Sequence, residues 1–380
     1  MPSNYFTSGV DLVPQLVSRD YYPSTLPPNG LFSCGYNFYG QLGLGDVTHR
    51  SSPVQVGSLL TWNKVACGYH TVVTKTDGSL WSWGRNLYGQ LGLGDIVNRS
   101  SPVQVGSLLT WNNAACGGNH TVATKTDGSL WSWGRNTYGQ LGLGDSTSRS
   151  SPVQVGSLLT WNKVAAGYNH TVATKTDGSL WSWGRNLYGQ LGLGDVTDRS
   201  SPVQVGSLLT WNNVACGYDH TVATKTDGSL WSWGWNPYGQ LGLGDIAHRS
   251  SPVQVGSLLT WNNVAGGGYG GYHTVATKTD GSLWSWGSNP YGQLGLGDIV
   301  KRSSPVQVGS LMTWNKVAAG YNHTVAAKTD GSLWSWGRNN YGQLGLGDIV
   351  NRSSPVQVGS LLTWNNVACG YGHTVATMKS

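Results

Sequence analysis

Seven histidines, His70, His120, His170, His220, His273, His323 and His373, each stand before a threonine and recur about once every fifty residues. Imidazole is the side chain best suited to metal ligation and to proton transfer near neutral pH. A tetrahedral metal site needs ligands that converge, and one histidine per repeat does not supply that. The spacing predicts a structural role, a hydrogen bond to a neighbouring loop. Seven aspartates (Asp46, Asp95, Asp145, Asp195, Asp245, Asp298 and Asp348) each follow Gly-Leu-Gly. Gly-x-Gly-x-Asp binds calcium where a nine-residue period stacks the ligands; one carboxylate every fifty residues instead satisfies a turn. The same glycines make no phosphate cradle, because no helical pattern follows them. Ser, His and Asp are plentiful, yet a nucleophilic triad needs one asymmetric cluster. Sevenfold redundancy argues against an enzyme, and no catalytic residue, metal or cofactor is expected.

Charge is sparse, at 11% of residues, and every acidic residue is Asp. Arg50, Arg99, Arg149, Arg199, Arg249, Arg302 and Arg352 precede Ser-Ser-Pro as one basic ring. Lys75, Lys125, Lys175, Lys225, Lys278 and Lys328 form another beside the hairpin aspartates. A net charge of +6 spread this evenly makes no groove, which argues against nucleic acid. The five cysteines do not read as a disulfide framework. Cys67, Cys116, Cys216 and Cys369 share a slot with Ala166, Ala319 and Gly266, so the slot wants a small buried side chain. Free thiols suit a reducing compartment such as the cytoplasm. The first twenty residues lack the basic start and continuous apolar run of a secretory signal. Nothing approaches the ~20 apolar residues of a membrane span. Localisation stays open at this level.

These side chains are positioned by a repeat. Tyr-Gly-Gln-Leu-Gly-Leu-Gly-Asp occurs seven times, at spacings of 49, 50, 50, 50, 53 and 50 residues. A period near fifty signals a solenoid or propeller. Within one unit, His170–Thr176 alternates like a strand, Asp177-Gly178 supplies a type I′ hairpin turn, and Leu180–Gly184 returns. Trp181 and Trp183 then share one face. Pro202–Val205 makes an edge strand, and Trp211–Gly217, rich in small residues, a strand in a crowded place. The unit is a four-stranded antiparallel meander, and such sheets repeated in a chain are blades around a channel. The last unit stops after His373–Ser380, where its turn should be, while Leu31-Phe-Ser-Cys-Gly35 aligns with Leu80–Gly84. We therefore expect an all-β, closed seven-bladed propeller whose first and last strands pair in the closing blade. Its twenty tryptophans would lie mostly between blades. Residues 29–380 form the propeller and residues 1–28 an arm outside the repeat, either packed along the ring or serving to attach it to another protein.

The pattern Gly-x-x-His-Thr, then Asp-Gly-x-Leu-Trp-x-Trp-Gly-x-Asn, then Tyr-Gly-Gln-Leu-Gly-Leu-Gly-Asp resembles the repeat of the regulator of chromosome condensation. The resemblance covers about residues 31–380 and implies a seven-bladed propeller with a split closing blade. It implies less about activity, since members range from an exchange factor for a small GTPase to a plant photoreceptor and parts of ubiquitin ligases. Most work by binding another macromolecule. The inserted wedge of the exchange factor has no counterpart beyond the Gly-rich stretch Gly266–Tyr272, three residues longer than its equivalents. The photoreceptor's Trp-Arg pairs are replaced by Tyr69, Tyr168, Tyr218, Tyr321 or Tyr371 with no Arg following.

Variation between units falls in a few slots. Units starting at Tyr138 and Tyr188 differ at seven of fifty positions. One slot reads Tyr36, Arg85, Arg135, Arg185, Trp235, Ser288, Arg338, and the next but one Phe38, Leu87, Thr137, Leu187, Pro237, Pro290, Asn340. Others are the triplet after the loop aspartate and the residue before the motif histidine (Asn119, Asn169, Asp219, Asn322, Gly372). Loops on a rigid scaffold are where recognition is usually placed; equally, loops are where change is tolerated. The expectation is a scaffold that binds a protein partner through Tyr36, Arg85, Arg135, Arg185, Trp235 and Arg338, with Tyr269 and Tyr272 of the insertion. The alternative is a repetitive glycan or cell-surface binding module, as on a virion or secreted particle, and a third is a guanine nucleotide exchange factor.

Overall fold

The computed structural model describes residues 30–58, 61–268, 270–310, 312–360 and 362–379. The expected arm over residues 1–28 lies outside the described residues, as does Tyr269. Twenty-eight strands run from β1 (Leu31–Gly35) to β28 (His373–Met378) and form seven four-stranded antiparallel sheets. A typical blade contains β3 (Trp62–Cys67), β4 (His70–Lys75), β5 (Leu80–Gly84) and β6 (Arg99–Gln104) in that order. The Trp62–Cys67 strand touches its counterparts in the blades on either side, so this strand lines the axis. That is why its positions are small: strands converge there, as Ala66 and Cys67 anticipate. The Arg-Ser-Ser-Pro strand is outermost, where a proline costs no ladder bond.

The ring closes as the termini of the repeat predict. β1 pairs with β28, Leu31 opposite Thr377 and Gly35 opposite His373, inside the sheet ordered β2-β1-β28-β27 (β2, Arg50–Gln55; β27, Trp364–Cys369). That sheet packs against β3 of the first complete blade.

The hairpin turn differs from the expected type I′. Gly78 N–H donates to Lys75 C=O, so Thr76 and Asp77 are the central pair and Gly78, at φ +82°, follows them. Asp77 Oδ1 holds this form by accepting from the Ser79 amide and hydroxyl. It is a three-residue loop ending in a left-handed glycine.

The core is seven wedges, one between each pair of blades. In one of them Trp161, Val164, Ala173 and Trp183 meet Val122, Leu130 and Val155 of the preceding blade. Trp183 is fully buried, and Trp161 packs edge-on against both Trp181 and Trp183, at 6.2 and 5.9 Å. Polar staples cross the same boundary. Gln140 C=O, in the signature loop of one blade, accepts from Trp183 Nε1 (3.0 Å) and Thr171 Oγ1 (2.9 Å) of the next. His120 Nε2 of the first blade lies 2.9 Å from the same Thr171 hydroxyl. That hydroxyl gives its one proton to Gln140, so the imidazole donates from Nε2. The seven histidines repeat this bond around the ring, with His373 reaching Thr71 to complete it. Their partner is thus a strand threonine of the adjacent blade rather than a loop. Burial lowers their pKa values to about 3, or about 4 for His220.

The signature loop is fixed by its own side chains. Asn136 Nδ2 donates to Asp145 and Asn136 Oδ1 accepts from Leu141 N–H, while Asp145 binds Arg149 at 2.5 Å. Gly142 sits at φ +72°, and a Cβ there would come 2.7 Å from Trp183 Nε1, so the first glycine of the Gly-Leu-Gly run is required by the indole beneath it.

Candidate functional site

The two basic rings read from the sequence are both occupied internally. All seven arginines before Ser-Ser-Pro pair with the loop aspartates at 2.5–2.6 Å. Each lysine of the second ring lies over two indoles; Lys125 Nζ is 3.6 Å from the Trp131 ring centroid and 5.0 Å from Trp111. Neither ring offers a free row of cations to a phosphate backbone. The histidines point each to its own threonine, and among the described residues no three His, Cys, Asp or Glu side chains cluster as a metal site. The five thiols are unpaired, and burial pushes the Cys34 thiol up to about 12.

The variable slots converge. The loop after the third strand of each blade and the turn before its histidine strand emerge at the same end, because the strands are antiparallel. Tyr36, Arg85, Arg135, Arg185, Trp235 and Arg338 therefore stand around one face, all half-buried. Each lies against tyrosines. Arg85 covers Tyr39 (5.2 Å) and Tyr69 (4.8 Å), and Arg135 covers Tyr88 (5.1 Å). Arg185 covers Tyr138 (5.4 Å), and Arg338 covers Tyr291 (5.3 Å) and Tyr321 (5.5 Å). Tyr36 packs against Tyr341 at 4.8 Å and His49 at 5.0 Å. The inner tyrosines also touch one another, Tyr69 with Tyr371 at 4.7 Å and Tyr168 with Tyr218 at 4.4 Å. The result is a girdle of tyrosine and guanidinium planes. Around it stand exposed apolar tips, among them Phe38, Leu87, Leu187 and Ile96.

One sector breaks the symmetry. Trp235 packs on Tyr272 at 4.5 Å and on Tyr188 and Tyr238 at 5.7 Å, with Tyr272 stacked on Tyr238 at 5.1 Å. Beside them Asp219 is 3% exposed; its Oδ1 accepts from Gln190 Nε2 at 3.0 Å and its Oδ2 lies 3.5 Å from Arg185. Burial raises its pKa to about 6, with Arg185 and Gln190 opposing. Burial also raises Tyr272, to about 12. The structure thus brings Trp235, Tyr272, Arg185 and Asp219 into one sector and leaves Tyr36, Arg85, Arg135 and Arg338 on the rest of the circle. The signature tyrosines Tyr39, Tyr88, Tyr138, Tyr188, Tyr238, Tyr291 and Tyr341 were legible only as loop markers, yet their rings build half of this face. Their place three residues after the arginine slot carried that signal.

The comparisons with known proteins agree with the geometry. The pattern of the Regulator of chromosome condensation (RCC1) repeat matches residues 29–74, 77–124, 127–174, 177–224, 227–277, 280–327 and 330–377. A 36-residue stretch, 10% of this chain, is 50% identical to the ultraviolet-B receptor UVR8 of Arabidopsis thaliana and spans 8% of that protein's length. The solved structure of human WBSCR16 superposes with a TM-score of 0.83 at 24% identity, covering 92% of this chain and 99% of that one. Prp20p of Saccharomyces cerevisiae, whose structure was described with its binding to Gsp1p and histones, gives 0.81 at 23% identity over 94% and 92%. These likenesses speak for the fold. With seven matched repeats closing one ring, the chain belongs to the Regulator of chromosome condensation (RCC1) repeat family.

Proposed function

We propose that the chain is a non-enzymatic propeller scaffold that captures a protein partner on the tyrosine–arginine face. One observation carries this reading. The slots that vary between otherwise repeated units lie far apart in sequence yet fall on one continuous surface rich in Tyr, Trp and Arg, the residues that dominate interface hot spots. Of Arg85, Arg135, Arg185 and Arg338, only Arg185 is ion-paired among the described residues, to Asp219, while the loop arginines are neutralised in place. The face therefore suits an acidic protein surface. The Trp235–Tyr272 sector is its anchor, because it combines a tryptophan-centred aromatic cluster with the three-residue insertion. That yeast Prp20p was described with two protein partners supports protein binding on this fold.

Trp235→Ala combined with Arg185→Ala and Arg338→Ala should abolish capture of a partner from the source lysate while shifting the melting temperature by only a few degrees. Capture that survives the triple change rejects this face. Guanine nucleotide exchange is the second reading, favoured by the three-residue insertion in sequence beside Tyr272, which packs on Trp235 on the same face. Release of labelled GDP from a small GTPase decides it: no acceleration removes exchange and leaves the scaffold.

A further inference from the structure

The hairpin end of the ring, opposite the tyrosine girdle, carries a second repeated feature. Between consecutive blades the outer strand of one and the first strands of the next leave an open groove. One groove, of about 460 Å³, is lined by Trp261, Lys278 and Trp284 with Gln254, Leu258 and Pro305. Equivalents of about 370 and 380 Å³ contain Trp211, Lys225 and Trp231, and Trp314, Lys328 and Trp334.

Each groove contains an unanswered donor. Trp211, Trp261 and Trp314 are 4–5% exposed, and among the described residues their indole N–H groups have no hydrogen-bond partner. The neighbouring lysine adds a second donor. Lys278 Nζ rests over Trp284 at 3.7 Å and Trp261 at 4.9 Å, and the near carboxylate, Asp280, is turned to the Ser282 amide and hydroxyl. The second indole, Trp284, is only half-buried, with its own N–H given to Ser282 Oγ. Its remaining surface is therefore a flat apolar wall.

We propose that these grooves are sugar-binding subsites, each taking one pyranose ring of a neutral glycan. The C–H face of a pyranose lies on the half-buried indole, and its hydroxyls accept from the ammonium while exchanging bonds with a Gln amide. A pocket of several hundred cubic ångströms with an apolar wall and a few convergent polar groups is the usual build of a small-molecule site. Lys278 and Asp280 balance each other, which favours a neutral over an acidic sugar. The closing blade is the exception. There Phe32 and Met378 hold the indole and lysine positions, at 4% and 1% exposure, so neither the ammonium nor the second indole is present. Six blades therefore carry the complete Trp-Lys-Trp set. A polymer or a glycan-coated surface meeting several grooves gains avidity without new contacts. This gives the repetitive glycan-binding expectation a site at the end of the ring away from the protein-binding face, and it does not rest on that face.

The test is calorimetric titration of the intact chain with free cellohexaose, maltohexaose, chitohexaose and mannohexaose, with tryptophan emission read in parallel. At least one should bind and shift the emission. Lys278→Met, a residue the closing blade already accepts at this position, should lower the stoichiometry by about one-sixth. Replacing all six lysines by Met should weaken binding at least about tenfold, that is by about 1.4 kcal/mol. Binding of none of the four sugars at about 10 mM, unchanged binding by the folded six-fold variant, or binding only of an oligoglucuronate or an acidic peptide would overturn the proposal.

Discussion

Asp219 shows how much one residue departs from its six counterparts. At the corresponding positions Asn169 and Asn322 accept from the preceding glutamine without carrying charge. Asp219 accepts the same bond as a buried carboxylate whose pKa rises to about 6. The folded state therefore holds its proton more tightly than the unfolded chain, and this group stabilises the fold below its unfolded value of 3.8 and weakens it as pH rises through about 6. Asp219→Asn should raise the melting temperature at pH 8 by an amount worth about 1–3 kcal/mol, and the gain should shrink towards pH 4. A constant difference across that range would mean the carboxylate is paired well enough to be neutral in effect. The buried indoles set the other residue-scale magnitude. Trp183 is 0% exposed and bridges two blades, so Trp183→Ala should cost about 3–5 kcal/mol in urea unfolding. The sequence carried the indoles' place because alternation in Leu-Trp-Ser-Trp-Gly leaves them one face. It could not carry Asp219's burial, since an aspartate among asparagines in a variable loop reads as surface.

At the scale of elements, the staple of histidine, threonine and glutamine carbonyl joins each blade to the next, and its histidines are buried and neutral. Their folded pKa values of about 3 lie below the unfolded 6.5, so the unfolded chain takes up protons first as pH falls. Stability is complete above about pH 6.5 and lost progressively below it, the opposite sign to Asp219. Seven such groups give a limiting slope of about 10 kcal/mol per pH unit, at ~1.4 each. The ring should therefore unfold in one steep acid transition well above the range where its loop aspartates titrate, and circular dichroism against pH would record it. A shallow transition near pH 3 would mean that the imidazoles find a proton acceptor through Nδ1. Periodicity showed that these histidines are structural, but not that they reach across a blade boundary. That depends on which strand comes next around the axis, and a repeat spacing does not contain it.

At the scale of the whole molecule the closure lies inside one blade, where β1 pairs with β28, and the chain itself crosses each boundary between blades. The wedge on one side of that blade, where Leu31 and Val375 meet Trp62, Val73 and Trp83, uses the same side-chain types as its counterparts around the ring. Two chain ends and a half-aligned strand made this closure legible, because the last unit lacks what the first supplies. The sugar grooves and the tyrosine girdle were less legible: each is built by residues of two blades, and a single unit shows only half of either. If the blades are equivalent, the break in the chain can be moved. A permutant joining Lys379 to Gly30 through Asp-Gly, with new termini between Asp177 and Gly178, keeps every strand pair and merely transfers the open hairpin to another blade. Linking β28 to β1 removes the freedom of two ends, and opening the other hairpin restores it, so the loop-closure terms nearly cancel. The permutant should melt within about 5 °C of the parent and retain partner capture on the tyrosine face. A loss of 15 °C or more would show that the original closing blade, with Phe32, Cys34 and Met378 in place of Trp, Trp and Lys, is fitted to an open hairpin in a way its six neighbours are not.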